Sequence, residues 1–190
     1  LEQAPGVYVR GEDGYGLRPN IGMRGASSDR SAKINLMEDG ILIGPAPYSA
    51  PAAYYFPMMA RIAGVEVFKG PSSIKYGPNT IGGALTFQTR PIPRHTTTYI
   101  DLAYGQHNVG RLHSYVGTSG NRWGFLLEGA HLQTDGFKTI DGGGDSGFMR
   151  DEIVARGRYH TNPAAAWFHQ LDLRAGYSRE RSNETYLGLT

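Results

Sequence analysis

Cysteine is absent from the chain, which excludes a disulfide framework and any thiolate metal centre. Histidine is sparse. His95, His107, His113, His131, His160 and His169 lie scattered, and none forms an i, i+2 or i, i+4 pair with another histidine or a helical glutamate, so no protein-built metal site is expected. Charge of one sign is lacking too: 19 Lys/Arg stand against 17 Asp/Glu. That balance argues against nucleic-acid binding by bulk electrostatics, and no run of like charge marks a disordered tail. Long apolar runs are missing as well. The richest, residues 52–60, is interrupted by Pro57, so nothing approaches the ~18–20 apolar residues of a spanning helix. No basic segment leading into an apolar one opens the chain, so no signal peptide is visible. The start in mid-phrase, Leu1-Glu2-Gln3-Ala4-Pro5, reads as part of something longer.

Signatures of enzymes fail on inspection. Gly144-Asp145-Ser146-Gly147 matches the nucleophile motif of trypsin-like proteases. Phe148-Met149 follow it, however, and no upstream histidine has the context of a catalytic base. Gly70 to Gly77 has a P-loop flavour without the Gly-Lys-Ser/Thr ending or a helical pattern after it. No pair of carboxylates stands out for acid–base work. The chain is read as a non-enzyme without a cofactor.

What is present is a change of texture near residue 94. Ten of the eleven prolines precede Arg94, and only Pro163 follows it. Proline removes a ladder donor, so the first half cannot consist mainly of long central strands, whereas the second half can. In the first half, Asn20-Ile21-Gly22-Met23-Arg24-Gly25 precedes a polar loop and then Ile34-Asn35-Leu36-Met37-Glu38-Asp39-Gly40-Ile41, in which Asp39-Gly40 between apolar runs is a hairpin signal. Val65-Glu66-Val67-Phe68-Lys69-Gly70-Pro71 and Tyr76-Gly77-Pro78 through Gly82-Gly83-Ala84-Leu85-Thr86-Phe87 place two apolar strands around glycine and proline turns.

In the second half, apolar and polar residues alternate with period two. Ile100, Leu102 and Tyr104 oppose Tyr99, Asp101 and Ala103. Trp167, Leu171, Leu173, Ala175 and Tyr177 oppose Gln170, Asp172, Arg174 and Ser178. Ile153, Ala155 and Tyr159 oppose Arg156, Arg158 and His160. The pattern predicts five strands over 98–105, 110–118, 123–134, 150–160 and 167–179. Ser119 to Arg122 and Thr161-Asn162-Pro163 read as tight turns, and Asp135 to Arg150 as a long polar loop. Unequal connections suit an outer-membrane barrel with apolar residues toward lipid. Alternation by itself favours a soluble antiparallel sandwich over the barrel, and Phe125-Leu126-Leu127, apolar on both faces, counts against the barrel.

The order of the first-half motifs resembles the plug domain of TonB-dependent outer-membrane receptors, over residues 5–93. Asp39-Gly40-Ile41, Ala46-Pro47-Tyr48-Ser49-Ala50-Pro51 and Thr89-Arg90-Pro91-Ile92-Pro93 look most like the ferric dicitrate receptor branch, although Ala50 stands where that branch can carry a polar residue. The resemblance implies an α+β plug domain at 1–93, followed at 94–190 by the antiparallel β-strands of an incomplete transmembrane β-barrel of about 22 strands. It implies an outer-membrane location and energised uptake of a ferric siderophore. The implied partners are TonB, reached through a segment upstream, the ligand, and outer-membrane lipid, with no nucleic acid. Five strands cannot close, so this stretch is not expected to insert alone. A runner-up from another class is a secreted, soluble β-rich module that binds carbohydrate.

The site residues follow from the same resemblance. Two turn-rich loops, Gly11 to Arg18 and Gly44 to Pro51, are candidates for the outward apex. Tyr15, Tyr48 and Ser49 offer rings and hydroxyls to a ligand, and Arg18 and Arg30 offer guanidinium forks to an anionic chelate. Arg24 and Lys69 stand where the family has basic residues facing glutamates of the barrel wall. Lys69 departs from the more usual arginine and lacks its bidentate fork.

Overall fold

The computed structural model describes residues 4–11, 14–43, 55–138, 143–164 and 166–183. The chain divides into two compact units, Leu1–Arg90 and Pro91–Thr190.

The first unit holds two small sheets. β1 (Val7–Arg10) pairs antiparallel with β2 (Asn20–Met23), and β3 (Ile34–Glu38), β4 (Ile41–Leu42), β5 (Ile62–Phe68) and β6 (Gly83–Thr89) form a sheet in the order β4-β3-β6-β5. The Asp39-Gly40 signal does what its chemistry predicts. Both residues have positive φ, 51° and 83°, and Glu38 pairs with Ile41 across a two-residue turn. The turn is then pinned to β6: the Asp39 carboxylate accepts the Thr89 N–H at 2.9 Å, and the Gly40 N–H donates to Thr86 Oγ1 at 3.1 Å. β6 is central, parallel to β3 and antiparallel to β5. Its first residue must be glycine, because a Cβ on Gly83 (φ 147°) would lie 2.4 Å from the carbonyl oxygen of Phe68. Val7, Ile21, Met23, Ile34, Leu36, Phe56, Leu85 and Phe87 make one apolar core, with Phe56 edge-on to Phe87 at 5.1 Å. Among the described residues the helical content of this unit is confined to 3₁₀ turns at Asp29–Ser31, Met59–Arg61 and Pro71–Tyr76.

The second unit is an antiparallel meander of β7 (Thr97–Gly105), β8 (Val109–Ser119), β9 (Trp123–Thr134), β10 (Phe148–His160) and β11 (Gln170–Ser182), with β7 and β11 as open edges. Four of the five strands lie within two residues of the ranges expected from alternation. The fifth starts later. Trp167 sits in the connection before β11, and Thr161-Asn162-Pro163 opens a longer link over residues 161–169. The Thr161 side chain holds that link, donating to Trp167 O at 3.3 Å and accepting the His169 N–H at 2.9 Å. Short and long connections are also not sorted by end. The residue 106–108 turn, with His107 and Asn108 at positive φ, lies at the same end as the long loop after β9.

The sheet is inside-out relative to a soluble sandwich. Leu171 and Leu173 are 54% and 62% exposed, whereas Arg150 and Glu152 are 2% and 1% exposed. Register explains the sorting. Glu128, Ala130 and Glu152 share one face with His113 and Arg150, and Phe125, Leu127, Ile153, Leu173 and Tyr177 share the other. Water would drive the second set inward; the first set is buried instead, held by charge-assisted bonds.

Candidate functional site

The backbone at Arg30 and Ser31 is knotted to Pro19, Asn20 and Ile21, and Arg18 directly precedes that stretch in sequence. Asn20, the first residue of β2, accepts the Arg30 N–H on its side-chain oxygen at 2.6 Å. Ser31 completes the knot, since its Oγ accepts the Ile21 N–H at 2.9 Å and donates to the Pro19 carbonyl at 3.2 Å. Arg30 and Ser31 adopt positive φ, 47° and 55°, which costs non-glycine residues roughly 1–2 kcal/mol each. That conformation buries Ser31 and leaves Arg30 exposed. Tyr15 and Arg18 are half-buried in the bends that precede β2. Tyr48 and Ser49 lie outside the described residues.

Arg24 and Lys69 also converge. The Arg24 N–H donates to Gly6 O at 3.0 Å, and the Lys69 ammonium donates to Pro5 O. Arg24 Nη1 lies 3.5 Å from where a Cβ on Gly70 would sit, so the guanidinium passes beside the residue that follows Lys69. Both side chains are exposed, and neither makes an ion pair with a carboxylate among the described residues.

Two buried polar groupings escaped the sequence reading. At the end of β3, the Arg61 guanidinium donates to Glu38 Oε1 at 3.0 Å and to the Tyr55 hydroxyl at 3.0 Å, and that hydroxyl reaches Glu38 Oε2 at 3.4 Å. A lone arginine beside the uncharged run 52–60 was its one sequence signal. On the second unit, His113 Nε2 lies 2.8 Å from Glu128 Oε1, and Arg150 bonds Glu152 at 2.6 Å with Glu180 at 3.6 Å. Their signal was present as charges at every second position. No group of three or more His, Asp or Glu suited to a metal occurs among the described residues.

The family model of the TonB-dependent Receptor Plug Domain matches residues 1–84. The vitamin B12 transporter BtuB of Vibrio vulnificus is 33% identical over 112 residues, which cover 59% of this chain and 18% of that protein. The crystal structure of the unliganded ferric citrate transporter FecA superposes with a TM-score of 0.74 at 21% identity, over 95% of this chain and 28% of that one. The ferric yersiniabactin uptake receptor FyuA of Yersinia pestis gives 0.73 at 18% identity, with coverage of 95% and 28%. The chain thus spans less than a third of the length of these relatives. Identities this low carry the fold, which is that of a plug followed by the first barrel strands.

Proposed function

From a chain whose residues 1–84 carry a TonB-dependent receptor plug domain, and whose fold is that of such a receptor's plug and opening wall, we propose that the protein takes part in TonB-dependent uptake of a ferric siderophore across the outer membrane. The plug comprises residues 1–93 and the wall begins at 94. The observation that carries this reading is the inverted sheet, with Leu173 exposed and Arg150 buried. A soluble carbohydrate-binding module would have to turn that sheet around, placing its apolar rows inside and its ion pairs in water. A wall between lipid and a polar lumen needs the arrangement observed.

Within this reading the ligand is an anionic iron chelate such as ferric dicitrate. Arg18 and Arg30 offer guanidinium groups near one knot, and Tyr15, Tyr48 and Ser49 contribute rings and hydroxyls. Support comes from the dicitrate-like segments and from relatives whose names include ferric citrate and ferric yersiniabactin. Arg24 and Lys69, exposed side by side without carboxylate partners on the described chain, are proposed to pair with wall glutamates and hold the plug until TonB pulls on it.

The test is uptake of radioactive iron citrate by a receptor-deletion strain carrying the full-length gene, with and without TonB. TonB-dependent accumulation that falls at least tenfold in the Arg18→Ala, Arg30→Ala variant is expected. Uptake of cobalamin instead would overturn the iron assignment, and uptake of neither would overturn the transport reading.

A further inference from the structure

The apolar face of the second unit ends differently at its two ends. Toward the 120–122 and 161–169 connections it ends in rings: Trp123 pairs with Tyr159, and Tyr159 with Leu171. The outward rows there hold no charge, and the nearest arginine, Arg122, lies in the turn itself. Toward the 106–108 turn and the loop after β9 it ends in charge. Gly129, Ile153 and Tyr177 form the last uncharged row across β9 to β11. His131, Asp151 and Arg179 form the next, and Gln133, Met149 and Arg181 the one beyond. His131 Nδ1 and Asp151 Oδ1 lie 2.6 Å apart, so that carboxylate already has a partner. Arg179 and Arg181 are exposed, and neither forms an ion pair among the described residues. They project from the same face about 7 Å apart, the spacing of alternate residues on a strand.

On the reading that this face meets lipid, the charged rows lie where hydrocarbon gives way to headgroups. We infer that Arg179 and Arg181 bind the phosphate of an anionic lipid headgroup in the leaflet on the long-loop side. Guanidinium presents a planar donor fork that fits phosphate oxygens in pairs. Its apolar stem continues the band while its head reaches the polar layer. Net charge agrees with an anionic occupant: two arginines outweigh Asp151 even with His131 neutral. The opposite end, with rings and no charge on its outward rows, suits uncharged interfacial contact, so the two leaflets are addressed by different chemistry.

The experiment places the full-length receptor in phosphatidylcholine nanodiscs containing a minor fraction of phosphatidylglycerol and counts retained phosphatidylglycerol by native mass spectrometry. A phosphate contact near the surface contributes about fivefold per arginine at low salt. Retention is therefore expected to fall about 25-fold in Arg179→Gln, Arg181→Gln, and about fivefold in Arg181→Gln alone. Arg122→Gln serves as the control with wild-type retention. Heat-modifiable mobility verifies insertion. Inserted variants that keep wild-type retention would overturn the inference and leave the transport reading intact, whereas a wild-type receptor that never partitions into membranes would overturn that reading itself. If the double variant fails to insert, the single variant and its fivefold change decide the matter.

Discussion

Phe87 and Phe125 are the same side chain put to opposite uses. In the first unit Phe87 is 0% exposed, on a strand flanked by two others and against Phe56. In the second, Phe125 is 40% exposed, on a face it shares with Leu127, Ile153 and Leu173. The first unit follows the rule for water-soluble domains, with an apolar centre and, apart from the buried Arg61–Glu38 pair, its charges outside that centre. The second reverses it, burying Glu128, Arg150 and Glu152 and exposing its leucines. Two kinds of packing are thus written into one chain: an apolar centre in the first unit, and in the second a buried polar face opposite an exposed apolar one.

Four measurements test that contrast, in order of decreasing energy. Phe87→Ala should cost about 4 kcal/mol of first-unit stability, and Phe125→Ala well under ~1 kcal/mol, by hydrogen exchange on the full-length protein in detergent. Equal costs would erase the distinction between the units. Arg61→Ala leaves Glu38 buried without its cation and should cost about 3–5 kcal/mol. A change below ~1 kcal/mol would mean that Tyr55 and water suffice, and that the first unit tolerates buried charge as freely as the second. On β11, if the apolar face meets lipid as proposed, Leu173→Arg should reduce membrane assembly of the full-length protein by about 2–4 kcal/mol equivalent, while its neighbour Arg174→Leu, on the other face, should have the smaller effect. The reverse ranking in heat-modifiability assays would turn the sheet over. Smallest is Gly40→Ala, about 1 kcal/mol, since φ of 83° at that position is strained for any residue with a Cβ. It is read from the thermal midpoint of the plug.

Local rules carried the sequence reading a long way. Alternation located β7 to β10 closely, because period two leaves one pattern per strand, and Asp39-Gly40 announced its hairpin through a backbone requirement that few other pairs meet. The late start of β11 was missed because Trp167 continues the alternation in sequence while the Thr161 hydroxyl holds the backbone around it in a loop. The parallel pairing of β3 with β6 was also invisible. Nothing local to Ile34–Glu38 names a partner some fifty residues away. Of the candidate site, sequence could nominate Arg18, Arg30, Arg24 and Lys69 singly. That Arg30 is tied to Asn20, and that Arg24 and Lys69 bond to Gly6 and Pro5, came from folding alone.

Residue order alone dictates which side chains share a face, where most turns fall, and that the two halves differ in kind, because these depend on backbone geometry repeated every few residues. It could not determine which face of the second unit is buried, since a sandwich and a membrane wall have the same alternation. The tertiary structure decided that. Only in three dimensions do Arg150, Glu152 and Glu180 come close enough to satisfy one another's charge, which makes burial of the polar face tolerable and leaves the leucines to the outside.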